Sequence, residues 1–135
     1  MMISTRGRYA LRVIVDLAEH ADGGCIPMKE VAQRQGISLK YLEKILPVLV
    51  AGKLVEGVHG KGGGYRLAQE PASISVGQVL RLTEGDLAPV SCLECSTESC
   101  AHSAECRTLP MWSELNRRIN EYLDSVTIAD MMKQL

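Results

Sequence analysis

The sequence lacks any long hydrophobic run: its longest apolar stretch, residues 45–51, is far shorter than the roughly 18 residues that a membrane-spanning helix needs. Its first residues, MMISTRGRYALR, also lack the apolar core of a secretory signal. We therefore expect no membrane segment and a cytoplasmic location. With 46% apolar and 23% charged residues among 135, the composition indicates one globular domain, or one domain with an added helix, rather than a disordered or fibrous chain.

A strong charge of one sign is also absent, since the net charge is −1. The two parts of the chain, however, carry net charges of opposite sign. Residues 1–66 hold ten Lys and Arg against six Asp and Glu, a balance of +4, and residues 67–135 hold five against ten, a balance of −5. A basic half joined to an acidic half indicates that the first half meets a polyanion.

Recognisable catalytic motifs are absent as well. The glycine-rich stretch 60–64 is not followed by the Lys-Ser or Lys-Thr pair of a phosphate-binding P-loop, and Tyr65 stands where the dinucleotide-binding fingerprint needs its last glycine. No nucleophile, base and orienting group fall in one motif. We therefore predict that the protein is not an enzyme.

Helical patterns fill the first part of the chain. The first pattern begins at Ser4 or Thr5 and ends at the Asp-Gly-Gly sequence of residues 22–24. The second follows Pro27 and ends at Gly36.

A third helical pattern begins at the N-cap Ser38 and ends at Gly52. Two short helices around a glycine turn predict a helix-turn-helix. Pro47 lies inside the third pattern, where it removes a backbone hydrogen-bond donor, so we expect a kink or an early end of the helix there.

A hairpin follows, because residues 54–59 and 65–67 predict two strands around the glycine tip 60–64. A hairpin directly after a helix-turn-helix is typical of a winged helix. A tip without side chains, flanked by basic groups, suits a narrow DNA minor groove, with an ordinary flexible hairpin as the alternative. The flanking side chains are those of His59, Lys61 and Arg66.

The third helix is predicted to read base edges in a major groove, because recognition helices use their N-terminal residues for this. Its first turns expose Ser38, Lys40, Tyr41, Glu43 and Lys44. On the first helix, Arg6, Arg8 and Arg12 suit DNA phosphates. An ordinary solvated surface is the alternative for the third helix.

Two further helical patterns occupy the second half. A capping box, SVGQ at residues 75–78, begins one, and Thr108 with Pro110 begins a long one. Apolar residues spaced by three and four form a heptad seam along the long helix: Trp112, Leu115, Ile119, Tyr122 and Val126. Such a helix predicts a homodimer in which the partner's helix covers the seam, with packing inside one subunit as the alternative.

Four of the five cysteines lie in CLECSTESCAHSAEC, residues 92–106. Structural disulfides are rare in the cytoplasm, so clustered cysteines favour metal binding or redox chemistry. Structural zinc sites favour two close pairs of ligands, and only Cys92 and Cys95 form such a pair here, whereas Cys100 and Cys106 are spaced unevenly. We favour an iron–sulfur cluster, with zinc, a thiol or disulfide switch, and no site as alternatives.

Several stretches together carry a family resemblance: STRGRYALR, EVAQRQGISLKYLEKIL, HGKGGGYRLA, ISVGQVL, the Cys-rich loop and DSVTIADM. They resemble the IscR/NsrR/CymR family of bacterial winged-helix transcriptional regulators over nearly the whole chain. The resemblance implies a mainly α fold with a small β-hairpin, formed by a winged helix-turn-helix and a long C-terminal dimerisation helix. We expect a DNA-binding domain at 1–83, a cluster loop at 84–107, and the dimerisation helix with a C-terminal helix at 108–135.

The resemblance also implies a cytoplasmic homodimer that binds palindromic promoter sequences in double-stranded DNA, as a repressor. In this family the base-reading positions correspond to Ser38, Lys40, Tyr41 and Glu43. His59 and Gly60 correspond to a wing position that often carries Arg, and Lys61 follows them.

The family's cluster triad corresponds to Cys95, Cys100 and Cys106. Leu109 stands where IscR has a ligand histidine, and Arg8 stands where NsrR supplies an acidic ligand. We therefore expect Cys92 as the fourth ligand of a 2Fe–2S cluster, with a 4Fe–4S cluster as the alternative. The weaker candidates for the fourth position are His102, Glu94, Glu98 and Glu105.

Our hypothesis is a switch in which the cluster orders its loop against the dimerisation helix and so sets how the two winged domains sit on DNA. A regulator that senses thiols or cysteine supply without a cluster is the first alternative. A small electron-transfer protein is the second.

Overall fold

A computed structural model describes residues 3–93 and 104–132. The elements in these ranges are α1 (Thr5–Glu19), α2 (Met28–Gln35), α3 (Leu39–Ala51), β1 (Val55–Val58), β2 (Gly64–Leu67), α4 (Val76–Glu84), α5 (Leu109–Ser125) and α6 (Ile128–Met131). Short 3-10 turns occupy Pro71–Ser73 and Ser91–Leu93. The predicted fold class, mainly α with one hairpin, is confirmed. Within these two ranges, no helix combines the length and the apolarity needed to cross a bilayer.

The helices begin where the sequence predicts N-caps. The Ser4 hydroxyl accepts a hydrogen bond from the backbone N–H of Gly7, and Ser38 does the same for Tyr41. Such caps satisfy backbone donors that have no partner inside the helix. α1 ends at Glu19, earlier than expected, because the chain then turns and Ile26 pairs with β2.

α3 passes through Pro47 and ends at Ala51, so the expected early end is wrong. Pro47 is exposed, and so is Glu43, whose carbonyl would otherwise accept the hydrogen bond that proline cannot donate. That carbonyl can bond to water. On the opposite side, Leu46 and Leu49 are buried in the core, and their burial holds the helix together across the proline.

The hairpin is fastened to the helix-turn-helix by backbone hydrogen bonds. β1 and β2 are antiparallel, with Val55 opposite Leu67. The N–H of Ile26 donates to the carbonyl of Tyr65 over 2.8 Å, and the N–H of Tyr65 donates back over 2.9 Å. The wing is therefore positioned by the segment that joins α1 to α2.

One core joins the first three helices, β1 and the C-terminal end of the chain. Ile128 of α6 is fully buried in this core, and its N–H donates to the carbonyl of Ile74. A smaller cluster of Val76, Leu80 and Leu87 lies under α4. The end of α5 is thus held against the winged half, because α6 returns to the same core.

Candidate nucleic-acid interface and cysteine site

The exposed side of α3 carries the charged side chains that the sequence predicts for base contacts. Lys40, Glu43 and Lys44 are all exposed. Ser38 is exposed too, but its hydroxyl oxygen already accepts the capping bond from Tyr41, which leaves its proton free to donate. Three charged groups and one hydroxyl therefore share the start of the helix.

Tyr41 differs from these residues because it is half-buried. Its ring meets the ring of Tyr9 edge to face, with 5.5 Å between centroids, and the Arg12 guanidinium lies 5.4 Å from the Tyr9 centroid. Tyr41 therefore also joins α3 to α1, as a packing residue.

The structure does not bring the three arginines of α1 together. Arg6 donates to the carbonyl of Thr83 at the end of α4, over 2.7 Å. Arg8 is exposed and bonds only within its own helix turn, to the hydroxyl of Thr5. Arg12 donates to the side chain and the carbonyl of Gln35 at the end of α2. All three residues are exposed, but Arg6 and Arg12 bond to other helices, so Arg8 is our first candidate for a contact to a DNA phosphate.

The wing tip exposes His59, Gly60 and Lys61, as predicted from the sequence. Gly60 has a φ of 96°, a conformation that glycine adopts without strain. Arg66 is not part of the tip, because it forms an ion pair with Glu56 across the hairpin at 3.0 Å.

Two of the four expected cluster ligands, Cys92 and Cys106, lie in the described part of the chain. Cys95 and Cys100 lie outside the described residues, as do the weaker candidates Glu94, Glu98 and His102. Cys92 is exposed in the Ser91–Leu93 turn, and Glu105 is exposed just before Cys106. In residues 3–93 and 104–132, no group of three or more His, Cys, Asp or Glu is arranged to hold a metal ion.

Cys106 sits just before α5, with its Sγ 3.3 Å from the hydroxyl of Thr108. Hydrogen bonds from that hydroxyl and from the backbone N–H groups of Thr108 and Leu109 lower the pKa of Cys106. The thiolate is the form of cysteine that binds metals and reacts with oxidants. The two thiols that the structure describes here, those of Cys92 and Cys106, therefore suit ligands of an iron–sulfur cluster. They also suit the reactive groups of a thiol switch.

α5 has two different surfaces and no buried residue. On the side toward α4, the Arg81 guanidinium donates to both carboxylate oxygens of Asp124 and to Asn120. Elsewhere on the helix, three large apolar residues are exposed to solvent: Met111 is 50%, Leu115 38% and Tyr122 67% exposed. Of the five predicted seam residues, Leu115 and Tyr122 are exposed in the described part of the chain, and Trp112, Ile119 and Val126 are half-buried.

Sequence reasoning missed a buried ionic contact in the helix-turn-helix. Asp16 of α1 is 1% exposed and receives hydrogen bonds from Arg34 and Gln35 of α2. Burial alone would raise the pKa of Asp16, but these hydrogen bonds and the charge of Arg34 outweigh it and lower the pKa. The signal in the sequence was a charged residue beside the apolar stripe of α1, next to Leu17.

The chain is similar to known transcriptional regulators over almost its whole length. Residues 3–134 match the Rrf2 family, which is described as iron-dependent transcriptional regulators. The HTH-type transcriptional regulator IscR of Aliivibrio salmonicida is 36% identical over 132 residues, which cover 98% of this chain and 77% of that protein.

Solved structures of two regulators have the same fold. The global cysteine regulator CymR of B. subtilis is 34% identical, with a TM-score of 0.79 over 97% of this chain and 95% of that one. IscR of T. potens is 37% identical, with a TM-score of 0.76 over 97% of this chain and 85% of that one.

Proposed function

Because the chain belongs to the Rrf2 family of transcriptional regulators, we propose that it is a dimeric repressor of promoters, controlled by an iron–sulfur cluster bound within residues 92–106. Family membership confirms the IscR/NsrR/CymR resemblance. It also confirms that the protein is not an enzyme, since its relatives and its fold are those of transcriptional regulators. We place its action in the cytoplasm, where promoter DNA is found.

DNA recognition is supported by the exposed start of α3. Lys40 and Lys44 can donate to guanine O6 and N7, and Glu43 can accept from cytosine N4. The exposed wing tip, with His59 and Lys61, lies beyond the same helix-turn-helix. This arrangement suits one winged helix that contacts a major groove and an adjacent minor groove.

The test of DNA recognition begins with a duplex selected by the protein from random sequences. We expect Glu43→Ala to relax preference at one base pair and to weaken specific binding by about 1–3 kcal/mol. Lys29→Ala is the matched control, because Lys29 is exposed on α2, outside the recognition helix. If the native protein binds its selected duplex no better than a random one, the proposed function is wrong.

The cluster is supported by the position and chemistry of Cys106, whose lowered pKa favours the thiolate, and by the exposed thiol of Cys92. Cys95 and Cys100 complete the proposed ligand set. A bound cluster would supply sensitivity to iron supply, oxygen or nitric oxide. Since Cys106 adjoins α5, and Asp124 of α5 pairs with Arg81 of α4, a change at Cys106 can reach the winged half through α5.

Anaerobic purification with iron and sulfide analysis and an absorption spectrum tests the cluster. We expect Cys106→Ser to lose iron and sulfide together, and Cys25→Ser to keep both, because Cys25 lies in the segment between α1 and α2. Equal affinity for the selected duplex with and without the cluster would refute control by the cluster.

A second candidate is a thiol-sensing regulator without a cluster. The likeness to the cysteine regulator CymR and the lowered pKa of Cys106 both favour it. It predicts protein free of iron and sulfide after anaerobic purification, with an affinity for DNA that changes when Cys106 is oxidised and returns on reduction.

A further inference from the structure

Asp16 is a buried carboxylate at the contact between α1 and α2. Its side chain has no solvent exposure. Arg34 donates to both of its oxygens, from Nε to Oδ2 over 3.0 Å and from Nη2 to Oδ1 over 2.7 Å. The side-chain amide of Gln35 donates to Oδ2 over 2.8 Å. Three hydrogen bonds therefore fix one carboxylate against the end of α2.

The partners of Asp16 form the last turn of α2, directly before the turn of the helix-turn-helix. One helical turn earlier in α1, Arg12 donates to the Gln35 side chain and to its carbonyl. Gln35 is thus held by both Asp16 and Arg12 of α1, whereas Arg34 is held by Asp16. A carboxylate that accepts two hydrogen bonds from one edge of a guanidinium has one defined geometry, unlike an apolar contact that can slide.

Three residues separate Gln35 from Leu39, the first residue of α3. Gly36 adopts the left-handed conformation, with a φ of 65°, Ile37 is buried, and Ser38 caps α3. This short connection leaves little freedom between the anchored end of α2 and the first turn of α3.

We propose that Asp16 is a positioning residue for operator recognition, which sets the place of α3 on DNA by holding Arg34 and Gln35. The inference rests on the proposed DNA-binding function. Asp16 itself touches no DNA, since it is buried. Asp16 acts indirectly: by fixing the end of α2, it fixes the turn that follows, and so the positions of Lys40 and Glu43 on α3.

Electrostatics and positioning predict opposite results when Asp16 loses its charge. DNA is a polyanion, so removing a carboxylate from the basic half raises affinity for any duplex if charge alone matters. Loss of positioning instead weakens binding to the selected duplex and spares binding to random DNA, because phosphate contacts carry no sequence information.

The experiment compares native protein with Asp16→Asn in binding to the selected duplex and to a random duplex of equal length. Both proteins are measured well below their melting temperatures, which are recorded. We expect affinity for the selected duplex to fall at least tenfold, with no fall for the random duplex. Asp22→Asn is the matched control, because it removes the same charge from an exposed residue in the segment after α1, and it should leave the ratio of selected to random affinity unchanged.

Arg34→Lys is the second variant, since it keeps the charge but loses the fork that binds both carboxylate oxygens. We expect the same tenfold loss of specificity. If Asp16→Asn does not fold, Arg34→Lys decides the question alone. Folded variants with the native ratio of selected to random affinity would show that Asp16 only stabilises the fold. A native protein without sequence preference would instead refute the proposed function.

Discussion

Lys53 adopts a backbone conformation that its side chain disfavours. Its φ is 61°, and it is the one non-glycine residue with a positive φ in the described ranges. This residue follows Gly52, the C-cap of α3, and the N–H of Leu54 donates back to the carbonyl of Leu49. The left-handed conformation costs an L-residue roughly 1–2 kcal/mol, whereas glycine adopts it freely.

We therefore expect Lys53→Gly to raise the free energy of unfolding by about 0.5–1 kcal/mol, less than the full strain because glycine also gains entropy in the unfolded chain. The urea midpoint measures this change. Lys44→Gly is the matched control, since Lys44 is exposed inside α3, and it should lower stability by about 1 kcal/mol. A loss of stability in both variants would contradict the strain at Lys53.

The thiol of Cys106 owes its lowered pKa first to the hydroxyl of Thr108. Thr108→Val keeps the shape of the side chain but removes that hydrogen bond, so the pKa of Cys106 should rise. Alkylation of the reduced, cluster-free protein at neutral pH should then slow several-fold, and its pH profile should move to higher pH, because the thiolate is the reacting form.

The alkylation rate of Cys25 provides the internal control, since this thiol lies before α2 and does not adjoin α5. It should be the same in both proteins. An unchanged pH profile for Cys106 would mean that the backbone N–H groups of Thr108 and Leu109 stabilise the thiolate without help from the hydroxyl.

At the scale of the element, α5 is a helix with apolar side chains that stay exposed to solvent in the described part of one chain. Charged side chains border these apolar ones, and hydrogen bonds from Arg117 and Arg118 lower the pKa of Glu114 to about 2. A helix with one charged side and one exposed apolar side buries the latter against another helix. A second copy of α5 suits this role because its seam is identical.

Tyr122→Glu should therefore break the proposed dimer, since it would place a charge at the most exposed residue of the predicted seam. Sedimentation should show a monomer at concentrations where the native protein is a dimer. Ser113→Glu adds the same charge on the far side of the helix, away from Tyr122, and should leave the dimer intact. A dimeric Tyr122→Glu variant would place the subunit contact elsewhere.

At the scale of the whole molecule, the basic half of the chain determines how DNA binding depends on salt. Each phosphate contact by a cation adds about 0.9 to the slope of log affinity against log salt concentration. Both Arg6 and Arg8 are exposed, but Arg6 donates to the carbonyl of Thr83 on α4, whereas Arg8 bonds within its own helix turn. The two arginines should therefore behave differently although they are close in sequence.

Arg8→Ala should lower the salt slope by about 1 for the selected and the random duplex alike. Arg6→Ala should leave the slope unchanged and lower the melting temperature instead, because it removes a contact between α1 and α4. Binding titrations from low to high salt measure the slope. Equal slopes for native protein and Arg8→Ala would show that Arg8 contacts no phosphate.

The sequence by itself determined the features that depend on neighbouring residues. Caps at Ser4, Ser38 and residues 75–78, the glycine turn at Gly36 and the wing could all be predicted, because capping, turns and periodicity are local. The family followed from the same stretches. The division into parts at 83 and 107 stays a prediction, as do the DNA contacts and the cluster ligands.

Only the tertiary structure decided what depends on residues distant in the chain. In the folded chain Arg6 bonds to the end of α4, and the ring of Tyr41 packs against Tyr9. Asp16 pairs with Arg34, and Ile128 packs in the core of the winged half. α3 also continues through Pro47, because burial on one side of the helix outweighed the lost backbone bond on the other. These outcomes depend on packing between elements that are distant in the chain. A pattern of neighbouring residues does not show which elements will be in contact.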